Sequence, residues 1–324
     1  MSRLPLHIGS NDAAGDGVTE WQRWGKQYAP AYAALMGPVD GYYGVSDATF
    51  TREMQRRLGI VQDGVFSAAT AAKVGYRGTP ATPMPGKPFL YTFAGTWSYW
   101  DAGFQADTAR ALDDTYRWQP CAYPASFGPI NPPYPGAPSY VQSVEQGVAE
   151  GIRLINLNPG KFALSGYSQG AEAVGRLCQE LTTGRLTHRL RDCLAVVTFG
   201  DPARQASDRT LGDGQGTGIS KLIIEPGIDR VTAAVRGDMY ATIPEGQAGD
   251  QMHAVYVALT HLGTGKIDGH GPLLAALIKI ATDPLTGGMA VIDAVIRAAQ
   301  VSAHGNYAQH IPAAVDHLRS AARR

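Results

Sequence analysis

Residues 161–170 read Lys-Phe-Ala-Leu-Ser-Gly-Tyr-Ser-Gln-Gly, and their flanks decide what the stretch is. Upstream, Val141, Val144, Val148, Ile152 and Ile155 recur at helical spacing until Asn158-Pro159-Gly160. Lys161 to Ser165 is short, apolar and strand-like. Downstream, Ala171, Val174, Leu177, Cys178 and Leu181 restore a helical period. A strand that runs through Gly-x-Ser-x-Gly into a helix predicts a nucleophilic serine, Ser168, in a tight strained turn at the top of a sheet. Side chains at Gly166 and Gly170 would collide with neighbouring backbone there. The helix that follows aims its free N–H groups at charge developing beside Oγ.

A serine hydroxyl needs a base, and the base needs an orienting acid. With this turn the three follow in the order Ser, Asp or Glu, His. Arg230 to Val235 reads as a late strand, and Asp238 stands just past its end, so Asp238 is the expected acid. Asp201, after the strand Leu194–Phe199, is its rival and is expected to shape a loop. For the base, His253 and His261 fall in a helical run and His317 in a C-terminal helix around Ala313–Leu318. His304, His310 and His270 are loop-borne and stay open, with His304 preferred for its place between two helical runs. Two backbone donors complete the expected oxyanion hole. One is the N–H of Gln169. The other comes from the loop after the strand Phe89–Ala94, with Thr96 preferred and Trp97 as the fallback.

The bulk composition fits a soluble globular protein able to build a core. Of 324 residues, 44% are hydrophobic and 17% charged, and Lys plus Arg equals Asp plus Glu at 28 each, which disfavours a nucleic-acid partner. No run is long and apolar enough for a transmembrane segment, and the first residues lack the apolar core of a secretory signal. Cys121, Cys178 and Cys193 have no metal spacing and are expected as reduced, buried thiols. The chemistry calls for neither a metal nor an organic cofactor, and a monomer is expected.

Residues 79–88 hold four prolines in ten positions and predict a stiff linker. It divides a helical domain, 1–78, from a catalytic domain, 89–324. In the first, Trp21, Trp24, Tyr28, Tyr32 and Leu35 predict one packed helix face. A weak repeat follows: Asp40-Gly41 leads to a helix over Thr49–Leu58, and Asp63-Gly64 leads to a helix over Ala68–Val74.

Residues 39–76, VDGYYGVSDATFTREMQRRLGIVQDGVFSAATAAKVGY, resemble the small three-helix peptidoglycan-binding domain of cell-wall lytic enzymes. The resemblance implies glycan or muropeptide binding, with Tyr42 and Tyr43 as exposed contacts. Over residues 89–324, YTFAGTW, DTARALDDTYRWQPCAYPAS, SGYSQGAEAVG, TFGDPAR, RGDMYA and the late HGNY together resemble the mycobacteriophage lysin B family, related to cutinases. That resemblance implies an α/β-hydrolase: a three-layer sandwich on a mainly parallel sheet, with a helical insertion at Gly271–Ile280 and Met289–Val301 between acid and base. It assigns the triad to Ser168, Asp238 and His304. The implied reaction is hydrolysis of the ester joining mycolic acids to arabinogalactan during phage-induced lysis. The enzyme would reach the envelope from the host cytoplasm after holin-mediated membrane failure. Cutinase-like action on other lipid esters is the alternative.

Overall fold

The computed structural model describes residues 2–12, 15–77, 79–80, 87–128, 130–132, 136–261 and 303–324. The expected insertion helices and His270 lie outside the described residues, as does most of the proline-rich stretch. The chain divides into two compact units, 1–87 and 88–324.

Among its described residues, the first unit holds three α-helices, α1 (Val18–Tyr28), α2 (Val45–Arg57) and α3 (Ala68–Lys73), and a two-residue parallel pair, β1 (Arg3–Leu4) with β2 (Thr79–Pro80). Pro30 ends the aromatic stripe as a helix, because proline has no N–H to continue the ladder. The chain turns there into a short 3₁₀ segment, Pro30–Leu35, so the stripe expected on one helix is split between two elements. Trp21 is fully buried against Tyr43, Phe50 and Phe66, while Tyr28 and Leu35 are exposed.

The two Asp-Gly turns are held alike. Gln22 of α1 donates to Asp40 Oδ1 at 3.0 Å and accepts the Asp40 and Gly41 N–H groups. Gln55 of α2 donates to Asp63 Oδ1 at 2.6 Å and accepts the Gly64 N–H. Gly41 and Gly64 have φ of 74° and 71°, which a glycine adopts without strain. The sequence repeat is thus a repeated glutamine clamp on a left-handed turn.

The second unit is built on β3 (Phe89–Phe93), β4 (Arg117–Pro120), β5 (Phe162–Tyr167), β6 (Cys193–Phe199), β7 (Arg209–Leu211) and β8 (Arg230–Ala233). They form one six-stranded sheet in the order β4-β3-β5-β6-β8-β7, with every pairing parallel. Alternation along the strands sends neighbours to opposite faces. Phe162, Leu164 and Val196 enter one core cluster with residues of α5 (Tyr140–Leu157), α6 (Gln169–Thr182) and α7 (Gln247–Thr260). Ala163, Ala195 and Val197 enter the other with residues of α4 (Phe104–Arg110) and the C-terminal α8 (Ile311–Ala322). These are the three layers of an α/β-hydrolase. β3 lies between β4 and β5, so the chain reverses its direction of travel across the sheet there, and the crevice at the strand ends is where such folds place ligands.

Helix ends are secured locally. Ser139 caps α5 by accepting the Gln142 N–H at 3.2 Å, and the Gln142 side chain accepts the Ser139 N–H at 3.0 Å. At the other end of α5, Arg189 donates to Ile155 O and to Gly160 O.

Candidate active site

β5 delivers Ser168 directly into α6. Its backbone sits at φ 55° and ψ −120°, a conformation that costs an L-residue energy and is kept where the surroundings over-determine it. What holds it is close packing of backbone on backbone. A Cβ at Gly166 would lie 2.5 Å from Gly170 O, and one at Gly170 would run into Phe93 O and lie 2.5 Å from Ala94 O. Glycine at both places lets β5, α6 and the end of β3 converge under the serine.

The structure brings Ser168, His304 and Asp238 together. His304 Nε2 is 2.8 Å from Ser168 Oγ, and His304 Nδ1 is 2.9 Å from Asp238 Oδ2. His304 rides on a short 3₁₀ turn, Ala303–Gly305, and is buried. Asp238 follows β8, where Gly237 takes φ 89°. Its loop is anchored by Arg204, which donates to Ala241 O at 2.7 Å and to Gln215 O and Gly216 O at 2.7 and 2.6 Å.

Burial by itself raises the Asp238 carboxyl, but the His304 charge and hydrogen bond, the Tyr307 hydroxyl and the Tyr240 N–H outweigh it. The carboxyl is held below the ordinary carboxylate value. It is therefore an anion placed to orient an imidazole and to stabilise its protonated form.

The rival groups are occupied elsewhere. Asp201 is buried, ion-paired with Arg230, and accepts the Ala203 N–H at 2.7 Å, so it shapes the loop after β6. His253 Nδ1 meets Ile219 O at 2.7 Å, and His261 Nδ1 meets Val257 O at 2.8 Å. His317 accepts from Arg209 at 2.8 Å. His310, at the start of α8, packs against the Tyr307 ring at 6.3 Å. Among the described residues, the histidine bonded to Ser168 is His304.

The loop after β3 abuts the serine: a Cβ at Gly95 would lie 3.3 Å from Ser168 Cβ. Trp97 gives its N–H to Ala125 O at 2.7 Å, which removes it as an oxyanion donor. Among the described residues no acceptor takes the N–H of Thr96 or of Gln169. The Gln169 side chain is buried and fixed, accepting from Ser143 at 2.9 Å and donating to Ser126 O at 2.9 Å. Its backbone N–H stands at the first position of α6, directly after Ser168.

Three tyrosines that spacing alone does not mark stand at the site. Tyr307 donates to Asp238 Oδ2, the Tyr240 ring lies 4.5 Å from His304, and Tyr167 stacks on His304 at 5.3 Å. Tyr240 and Tyr307 stand inside RGDMYA and HGNY, so their closeness to the acid and base in sequence was the available signal.

The first unit also corrects the expectation for Tyr43. Tyr43 is fully buried, with its hydroxyl donating to Gly64 O at 3.0 Å, because the clamp on Asp40-Gly41 turns it inward under Trp21. Tyr42 is exposed. Among the described residues, no helix is long and apolar enough to cross a membrane, and no group of His, Cys, Asp and Glu could hold a metal ion.

No protein-family model matches the chain. Endolysin B of Mycobacterium phage D29 is 36% identical over 237 residues, covering 65% of this chain and 88% of that protein. Endolysin B of Mycobacterium phage L5 is 35% identical over 240 residues, with the same coverage. The crystal structure of lysin B from mycobacteriophage D29 superposes with a TM-score of 0.56 at 31% identity, covering 72% of this chain and all of that one. With a serine–histidine–aspartate constellation on an α/β-hydrolase sheet and relatives of this closeness, the chain belongs to the lysin B family of phage endolysins.

Proposed function

We propose that this chain hydrolyses the ester joining mycolic acids to arabinogalactan, with Ser168 as nucleophile, His304 as base and Asp238 as orienting acid. The observation that carries the mechanism is the continuous hydrogen-bonded line from Ser168 Oγ through both His304 nitrogens to Asp238 Oδ2.

Ser168 Oγ attacks the ester carbonyl carbon while its proton passes to His304 Nε2. The carbonyl oxygen becomes an oxyanion facing the N–H groups of Gln169 and Thr96, where the N-terminal end of α6 adds its positive dipole. His304 then protonates the departing sugar oxygen, leaving the mycolate as an acyl ester on Ser168. Water attacks that acyl group, gives its proton to His304, and the mycolic acid leaves with Ser168 restored. Asp238 stays ionised throughout.

The first unit, on this reading, is an anchor that binds peptidoglycan, with Tyr42 as a contact. Holding an esterase on an insoluble wall raises its effective concentration at the substrate. The protein would act on the host envelope once the inner membrane has failed.

The test is incubation with purified mycolyl-arabinogalactan followed by lipid analysis. Free mycolic acid is expected from the wild type and none from Ser168→Ala. Rapid turnover of short synthetic esters with intact mycolyl-arabinogalactan would replace this substrate with that of a cutinase-like esterase.

A further inference from the structure

Asp238 Oδ2 has two side-chain donors. His304 Nδ1 is one, at 2.9 Å, and the Tyr307 hydroxyl is the other. The second oxygen, Oδ1, takes the Tyr240 N–H at 2.9 Å. Tyr307 is fully buried and stands three residues after His304. Its ring is fixed from several sides: Phe104 at 5.8 Å, Phe199 at 6.3 Å and Tyr167 at 6.4 Å. Gly200, at φ 54°, leaves the space; a Cβ there would lie 2.8 Å from His304 Cε1 and 3.0 Å from Tyr307 Cε2. Base and phenol are thus packed side by side on one backbone surface and aimed at one oxygen.

We propose that Tyr307 is a fourth, positioning member of the catalytic group, which sets the orientation and basicity of Asp238 by donating to the oxygen that His304 uses. The inference rests on the reading of Ser168, His304 and Asp238 as a triad. Two consequences follow from the shared oxygen. The phenol fixes the carboxylate rotation so that Oδ2 stays opposite Nδ1. It also withdraws electron density from Oδ2, so the aspartate favours the imidazolium less strongly than an undecorated carboxylate would. Without the phenol, Asp238 Oδ2 keeps its full charge for His304 Nδ1–H, and the acid limb of the pH–rate profile is expected to move upward. Among the described residues, the other titratable and charged groups facing this cluster are Tyr240 from the acid loop, Tyr167 and Ser168 from the elbow, His310 from the start of α8, and Arg204.

The experiment is the pH profile of kcat and kcat/KM for p-nitrophenyl butyrate, using the full chain. Tyr307→Phe keeps the ring and loses the donor. It is expected to lower kcat about tenfold, the rate equivalent of one charge-assisted hydrogen bond. KM should stay within about twofold, and the acid limb of kcat/KM should move upward by about half a pH unit. Installing 3-fluorotyrosine at position 307, a stronger donor of nearly equal size, should move the limb downward. The opposite signs separate donation from packing, and the fluorinated protein keeps the test alive if Tyr307→Phe folds poorly. Limbs that stay at the wild-type pH in both proteins, with or without a lower melting temperature, would overturn the inference while leaving the triad intact. A wild type with no Ser168-dependent turnover would overturn the triad reading and this inference with it.

Discussion

Ser168 Oγ and His304 Nε2 lie 2.8 Å apart although 136 positions separate them in the chain. The serine is delivered by β5 near the middle of the sheet. The histidine comes from the 3₁₀ turn just before the C-terminal helix, held by Tyr167, whose hydroxyl donates to His304 O at 3.0 Å. The contact therefore depends on α8 being docked on the sheet, and loosening that helix should affect catalysis before it affects the core around β5.

Ser168 has φ 55°, where glycine is the unstrained residue. Ser168→Gly should therefore stabilise the fold by about 1 kcal/mol while abolishing ester hydrolysis. Ser168→Ala, which keeps the Cβ, should abolish activity without that gain. Thermal melts of the three proteins check this; a glycine variant that melts below the alanine variant would contradict the strain.

Gly170→Ala would drive a methyl into the carbonyls of Phe93 and Ala94, groups that cannot move without shifting β3. The expected loss is about 2–3 kcal/mol or more, with activity falling together with it. A urea titration measures the first, and near-wild-type stability would mean that the elbow is looser than its packing implies.

The Asp238 carboxyl is depressed in the folded state, so its stabilisation is complete above the ordinary carboxylate value of about 3.9 and is lost as pH falls through the lower folded value. Melting temperature should consequently drop more steeply below about pH 4 in the wild type than in Asp238→Asn. Parallel curves for the two proteins would show that another carboxyl governs acid unfolding.

Glu172, one turn beyond the serine, is buried and accepts from Tyr140 at 3.0 Å, from Tyr256, and from Arg176 at 2.9 Å. This one carboxylate ties α5, α6 and α7 together. Tyr256→Phe should cost about 1–3 kcal/mol, since a buried charged acceptor loses a donor. Equilibrium unfolding checks the figure, and a loss below about 0.5 kcal/mol would place the stabilisation in packing alone.

If Tyr42 contacts the wall, Tyr42→Ala in the full chain should lower binding to isolated cell walls several-fold and leave p-nitrophenyl butyrate turnover unchanged. Pull-down against walls measures this. Equal binding would move the contact elsewhere on the first unit.

Much of the architecture could be read from the chain because its signals are local. The strand–Gly-x-Ser-x-Gly–helix order fixed β5 and α6, and valine and isoleucine spacing marked α5. Less could be read where a residue's job depends on a distant partner. Tyr43 looked like a surface aromatic beside Tyr42, and only the Gln22 clamp turns it inward. Trp97 has the sequence position of a spare oxyanion donor, but its N–H is taken by Ala125 O, a partner 28 positions away. The aromatic spacing runs on across Pro30, but the missing N–H there ends α1 and starts a 3₁₀ segment. Spacing left His304 and His310 open, while geometry separates them, since one reaches the serine and the other packs on Tyr307.

The most direct measurement is covalent trapping with an organophosphate ester such as diethyl p-nitrophenyl phosphate, read by intact mass and peptide mapping. One phosphoryl adduct per chain is expected, on Ser168, formed far more slowly in His304→Ala and absent in Ser168→Ala. An esterase-active wild type that carries no adduct on Ser168, or carries it on another residue, would contradict the account.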